Sequence, residues 1–191
     1  MKPKVLLIGL STGGPSHIQY FLSKIKKLNA IVIIAQHMKC DVIDFFIHDL
    51  QSNFHYCIKS TPVSLRVDDP CVVVCKESAV VDNVNKDGFE IVNSTLCDSR
   101  FTPDINKLFH SASQLCTLHD LYAVIMTGIG DDGAEGLLHL KKEGAMTIAE
   151  SQESSAIFGM PRRAIEIGAA KEVLSLNELI EFCQKEGILD V

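Results

Sequence analysis

The chain of 191 residues has the size and composition of one globular domain, with 47% hydrophobic and 22% charged residues. The net charge is −6 and the chain has no cluster of Lys or Arg. These features exclude nucleic-acid binding through the phosphate backbone, because that binding depends on basic residues. No apolar run approaches the roughly 20 residues of a membrane-spanning helix, so membrane insertion is not expected.

The seven cysteines are odd in number and scattered along the chain, which favours a reducing compartment. The first apolar run stops at Gly9 and is too short for the apolar segment of a signal peptide. Cys71 and Cys75 alternate with valines and lack a second Cys/His pair at zinc spacing, so no metal site is expected. We therefore expect a cytoplasmic protein.

The first part of the chain is predicted to alternate strands and helices. Apolar runs rich in β-branched residues at 5–10 and 31–36 predict strands, and each precedes apolar residues at helical spacing. Pro15 suits the first turn of the first helix. Asp41 is predicted to cap the second helix. The apolar positions assigned to that second helix are Val42, Phe45, Phe46 and Leu50.

The middle of the chain, from residue 58 to 93, is rich in β-type segments, including residues 71–75 and 89–92. Residues 85–88, Asn-Lys-Asp-Gly, are a hairpin turn signal. We predict that this region forms an antiparallel β-hairpin excursion on an otherwise mostly parallel sheet.

The second half returns to alternating elements. A helix is predicted to open at Thr102-Pro103, and Ser175 with Glu178 forms a predicted capping box for the last helix. Between them, a strand, a helix, a strand and a helix are predicted at residues 121–126, 133–142, 145–149 and 161–167. The alternation predicts an α/β fold with parallel strands.

Three reactive side chains each follow a predicted strand. Ser11 follows the first strand in a glycine-rich turn, His37 follows the second, and Asp131 and Asp132 follow the strand at 121–126. In an open parallel sheet the carboxyl ends of the strands border the crevice where ligands bind. A nucleophile, a base and a carboxylate could therefore meet there, which makes hydrolytic chemistry the leading hypothesis.

Other interpretations of these residues would require other sequence features. A phosphate-binding P-loop would need a lysine in the turn after Leu10, and a dinucleotide-binding turn would need a glycine where Ser11 stands. A non-catalytic binding module on the same fold would be expected to lose at least one of the three reactive residues, and all are present. A hydrolase of another ester or amide remains the nearest enzymatic alternative.

Five segments of the chain resemble the chemotaxis protein-glutamate methylesterases, the CheB-type catalytic domain. They occur in the order found in that family and span nearly the whole chain. They are Gly9-Leu10-Ser11-Thr12-Gly13-Gly14-Pro15, Gln36-His37-Met38, Met126-Thr127-Gly128-Ile129-Gly130-Asp131-Asp132-Gly133-Ala134, Thr147-Ile148-Ala149-Glu150 and Phe158-Gly159-Met160-Pro161-Arg162.

The resemblance implies a doubly wound α/β fold that removes methyl groups from glutamate methyl esters on bacterial chemoreceptors and often deamidates receptor glutamines. It implies Ser11 as nucleophile, His37 as base and Asp132 as the acid that orients the histidine. Turn position and resemblance together suggest the backbone near Thr12 and Ile129 as oxyanion donors. The implied partner is the methylated cytoplasmic domain of a chemoreceptor, and no cofactor is required.

The chain departs from the family pattern directly after His37. It has Lys39-Cys40-Asp41-Val42 where the family usually has Pro-Pro-Gly-Phe, and residues 73–76 also differ from the usual Ile-Ala-Pro-Gly. Both segments are expected near the substrate groove. Most family members carry an N-terminal receiver domain, whereas residues 1–191 are expected to be a single catalytic domain, with Met1 directly before the first strand.

Overall fold

The computed structural model describes residues 2–94 and 100–191, apart from the side chain of Cys40. Met1 and Cys97, both part of the sequence predictions, lie outside these residues. The strands are β1 (Lys4–Leu10), β2 (Lys27–Leu28), β3 (Ile31–Gln36), β4 (Ile58–Ser60), β5 (Val63–Arg66), β6 (Val72–Val74), β7 (Ala79–Asp82), β8 (Gly88–Asn93), β9 (Asp120–Ile125), β10 (Met146–Glu150), β11 (Glu172–Leu174) and β12 (Leu189–Asp190). The helices are α1 (Gly14–Ser23), α2 (Cys40–Asn53), α3 (Ile105–Ala112), α4 (Ala134–Lys142), α5 (Met160–Glu166) and α6 (Leu176–Lys185).

The centre of the fold is a parallel sheet that has seven strands within the described residues, in the order β11-β10-β9-β1-β3-β6-β4. Apolar side chains of α1, α2 and α6 cover one face. Apolar side chains of α3, α4 and α5 cover the other, together with an antiparallel sheet of β5, β8 and β7. This is the doubly wound, mostly parallel α/β fold that the sequence predicted.

The chain order of the strands locates the candidate site. From β1 the chain first adds β3 on one side and later adds β9 on the other. The sheet therefore has a topological switch point at β1, and ligands of such sheets bind beyond the carboxyl ends of the strands there. Ser11, His37 and Thr127 lie just beyond the carboxyl ends of these three strands.

Most predicted elements are confirmed, including the strands at residues 5–10, 31–36 and 121–126 and the capping box of Ser175 and Glu178. The predicted turn at residues 85–88 is also confirmed, because it joins the antiparallel strands β7 and β8. The assignment of Ile58–Ser60 and Val72–Val74 to the antiparallel excursion was wrong, because Ile58–Ser60 is β4, the edge strand of the parallel sheet. Val72–Val74 is β6, a strand of the same parallel sheet between β3 and β4.

Two details predicted for α2 were also wrong. The helix begins at Cys40 with Lys39 as its N-cap, so Asp41 lies in the first turn instead of capping it. Val42 and Phe45 are 46% and 76% exposed, and the buried face of α2 is formed by Ile43, Phe46, Ile47 and Leu50. The predicted stripe was displaced by one residue over its first half because apolar residues occupy adjacent positions along this helix.

Candidate active site

Ser11 lies in a tight turn between β1 and α1. The turn closes through Gly13, whose φ of +86° is in the left-handed region that favours glycine, and the amide of Gly14 donates to the carbonyl oxygen of Ser11 at 2.9 Å. The amide of Ser11 donates to the carbonyl oxygen of Thr127 at 2.9 Å. These bonds hold the serine between the ends of β1 and β9 and at the N-terminus of a helix.

His37 follows β3 directly and is held next to the serine turn. Its amide donates to the carbonyl oxygen of Leu10 at 2.9 Å, and its ring nitrogen Nε2 lies 2.7 Å from Oδ2 of Asp132. The imidazole also stacks on the ring of Phe101, with 5.0 Å between centroids and an angle of 4° between the planes. The ring is therefore fixed at one edge and on one face, which leaves Nδ1 as its second hydrogen-bonding atom.

Asp132 is 3% exposed and is surrounded by hydrogen-bond donors. Its Oδ1 accepts from the amides of Asn106 and Gly133, and its Oδ2 accepts from the amide of Ile105 as well as facing His37. Asp131 is exposed, and its carbonyl oxygen accepts from the amide of Ala134 at 3.2 Å. Of the two aspartates, Asp132 is the one in contact with the histidine.

The turn after β9 passes directly against Ser11. Gly128 pairs with the loop that ends at Phe158, and a Cβ on Gly128 would collide with the sulfur of Met160 and lie 2.8 Å from the Cβ of Ser11. Only a glycine lets the two turns approach this closely. Within residues 2–94 and 100–191, neither the amide of Thr12 nor that of Ile129 has a protein acceptor.

A cavity of about 430 Å³ opens beside these groups. The described residues that line it are Ser11, His37, Met38, Lys39, Arg100, Phe101, Thr102 and Ile129. Two of these residues are cationic and none carries a carboxylate, although the chain as a whole has a net charge of −6. Ile129 is 61% exposed and, with Phe101 and Met38, gives the cavity an apolar component.

The described part of the chain contains no group of three His, Cys, Asp or Glu side chains that could hold a metal ion. Among the helices that the structure describes, none combines the length and the apolar character needed to span a bilayer.

Two residues that contribute to the site were assigned no structural role from the sequence. The buried side chain of Gln36 donates from Nε2 to the carbonyl oxygens of Ser11 and His37, at 2.9 Å each, and so joins the two turns. The sequence signal for Gln36 was a polar residue at the end of an otherwise apolar strand. Phe101 had no such signal, because its contact with His37 depends on a loop 64 residues further along the chain.

Comparison with known proteins assigns the family. The family model of the CheB methylesterases matches residues 6–182. A protein-glutamate methylesterase/protein-glutamine glutaminase of Borreliella burgdorferi is 37% identical over 93% of this chain and 46% of its own length. A second protein of that name, numbered 2, from Carboxydothermus hydrogenoformans is 31% identical over 93% of this chain and 52% of its own length. The chain thus spans about half the length of these curated relatives.

Structural similarity leads to the same family. The CheB methylesterase catalytic domain of Thermotoga maritima superposes with a TM-score of 0.78 at 26% identity, covering 95% of this chain and 100% of that domain. The motifs had predicted this family, and the matched residues extend over nearly the whole chain. The chain belongs to the CheB methylesterase family.

Proposed function

We propose that this chain hydrolyses glutamate methyl esters on the cytoplasmic domain of chemoreceptors, with Ser11, His37 and Asp132 as its catalytic residues. The observation that carries the proposal is the 2.7 Å contact of His37 with Asp132 at a cavity that Ser11 also lines. The names of the relatives, protein-glutamate methylesterase/protein-glutamine glutaminase, support both the ester substrate and deamidation of receptor glutamines as a second activity.

In the proposed mechanism Asp132 accepts a hydrogen bond from the Nε2–H of His37 and so selects the tautomer whose Nδ1 has a free lone pair. Nδ1 takes the hydroxyl proton while Oγ of Ser11 attacks the ester carbonyl. When the tetrahedral intermediate collapses, the bond to the methoxy group breaks, and His37 returns the proton to the leaving methanol. Water then releases the glutamate from the acyl-enzyme by the same route.

The amides of Thr12 and Ile129 are the proposed donors to the negatively charged oxygen of the tetrahedral intermediate. They belong to the two turns that meet at Ser11, and their lack of acceptors among the described residues leaves them available to a substrate oxygen. Fixed donors of this kind stabilise the transition state without reorganisation, and each contributes on the order of 10²-fold or more to the rate.

The experiment that tests the proposal is release of methanol from receptor membranes carrying labelled methyl esters. We expect the isolated chain to release labelled methanol, and to release ammonia from a receptor whose target residues are glutamines. A folded chain that cleaves a small ester but leaves the labelled receptor intact would contradict the receptor assignment and favour a different ester hydrolase.

The rate should fall as the solution is acidified. Only a neutral imidazole can accept the serine proton, so protonation of His37 removes the base. We expect the kcat for a small methyl ester to decline toward about tenfold per pH unit at the acid end. A kcat that does not decline at any acid pH at which the chain stays folded, with the chemical step shown to be rate-limiting, would contradict the role of His37.

The cations of the cavity suggest which surface of the receptor is bound. Lys39 and Arg100 line the cavity of an otherwise acidic chain, so an acidic segment beside the target ester would be attracted there. We expect Lys39→Glu to raise KM for the receptor by about fivefold at low salt and less at high salt, while leaving a small uncharged ester unaffected. Lys185→Glu, on the exposed part of α6, is the matched control. Equal effects of the two substitutions would exclude a local contact.

A further inference from the structure

A second histidine, His17, lies in the first turn of α1, and both of its ring nitrogens face oxygen atoms that can only accept. Nδ1 is 3.0 Å from the carbonyl oxygen of Gly13, and Nε2 is 3.1 Å from both the carbonyl oxygen of Ser154 and Oε1 of Glu150. A neutral imidazole carries one N–H, so one of its nitrogens would direct a lone pair at an oxygen. When Glu150 is ionised, only the imidazolium ion donates a hydrogen bond on both sides.

Glu150, at the end of β10, is buried and links this histidine to the turn after β9. Its Oε2 accepts from the amide of Thr127 at 2.8 Å, and its Oε1 accepts from the hydroxyl of Ser154 at 2.7 Å. Thr127 in turn donates from its hydroxyl to the carbonyl oxygen of Thr12 at 2.8 Å and accepts from the amide of Ser11. We call the contacts of His17 with Gly13, Ser154 and Glu150 the His17 bridge.

The bridge thus connects both turns that flank the nucleophile. On one side it holds Gly13, next to Thr12, and on the other it holds the carboxylate that fixes Thr127, two residues before Ile129. Among the described residues, Glu150 is the charged group that faces the ring, and Gly13 and Ser154 contribute neutral carbonyls. The hydrogen bond to Glu150 outweighs the effect of burial and raises the pKa of His17 above its ordinary value of 6.5.

We propose that protonated His17 is a positioning residue that holds the turns of Thr12 and Ile129 in their catalytic arrangement, so that ester hydrolysis slows when His17 loses its proton. The proposal rests on the proposed function, since it assigns these turns to the oxyanion site. His17 does not touch the reacting atoms. Its loss of charge would allow the two turns to separate, which lowers kcat without changing the surface that binds the substrate.

The test compares His17→Gln, Glu150→Gln and the control His48→Gln, which removes an exposed histidine of α2. We expect the wild-type kcat to fall on both the acid and the alkaline side. In His17→Gln the alkaline fall should disappear while the acid fall stays. In Glu150→Gln the alkaline fall of kcat should move to lower pH. In His48→Gln neither the acid nor the alkaline fall should change. An unchanged alkaline fall in His17→Gln would overturn the proposal.

Two measurements without substrate separate this proposal from the proposed function. Ring-nitrogen NMR should show His17 still protonated at pH 6.5, with the signal identified by its loss in His17→Gln, and a neutral ring at that pH would overturn the bridge. Because the folded pKa is raised, the stabilisation is complete below about pH 6.5 and is lost as the pH rises through the folded value. The difference in melting temperature between wild type and His17→Gln should therefore narrow with rising pH, and a constant difference would contradict a charged bridge.

Discussion

Replacing Ser11 by Ala should reduce methanol release from labelled receptor membranes to the background rate, and His37→Ala should do the same. The serine oxygen forms the acyl bond and the imidazole moves its proton, so neither step proceeds without both groups. Loss of either member of such a pair lowers kcat on the order of 10⁶-fold in a serine hydrolase, and the double variant should lose no more than either single one.

The control for this experiment is Ser16→Ala, which removes an exposed hydroxyl from the first turn of the same helix. It should leave methanol release unchanged, and circular dichroism should show that all variants are folded. Ser11→Ala protein that is folded and releases methanol at the wild-type rate would exclude Ser11 as the nucleophile.

A second large effect is expected for Asp132→Asn, which should lower kcat by up to about 10⁴-fold. An asparagine in place of Asp132 can donate from its NH2 group to Nε2 of His37. The ring proton then lies on Nδ1, which has no lone pair to accept the serine proton. The neighbouring substitution Asp131→Asn changes an exposed carboxylate and should have a much smaller effect. Comparable losses in the two variants, or the reverse order, would contradict the role of Asp132.

Stability must be measured beside the activity of Asp132→Asn. Each oxygen of the carboxylate accepts at least one backbone N–H, so an NH2 group at either position faces a donor. Leaving such a buried donor unsatisfied lowers the free energy of unfolding by about 1–3 kcal/mol. Assays at a temperature where denaturation curves show the variant fully folded separate this effect from the loss of catalysis.

The sequence predicted the elements whose burial leaves a simple pattern. The apolar runs of β1, β3 and β9 are covered on both faces and appear in the sequence as continuous hydrophobic segments. The same simplicity explains the error at Val72–Val74, because a short buried run has no periodicity that distinguishes a parallel from an antiparallel partner. In α2, side chains from Val42 to Leu50 allowed two overlapping apolar stripes, and only packing against the sheet selects one.

The part of the candidate site that lies at the ends of strands could be predicted from the sequence. Ser11, His37 and Asp132 each follow a strand, and the rule for open sheets brings such positions together. The contact of His17 with Glu150 joins residues 133 positions apart, and each looks locally like an ordinary helix or strand residue. The stacking of Phe101 on His37 likewise depends on the path of a loop, for which the sequence carries no periodic signal.

Asp132 differs from the two other proposed catalytic residues in what its absence would do to the chain. Its carboxylate occupies the start of α3, where it accepts from the amides of Ile105 and Asn106, so folding alone is a reason to retain it. Ser11 makes its structural bonds through its backbone, which any residue of similar size could supply. A descendant that had lost its enzymatic role would therefore be expected to keep this aspartate long after its serine had changed. In a survey of related sequences, the residue at position 11 therefore indicates whether a relative has kept the enzymatic activity, and the residue at position 132 does not.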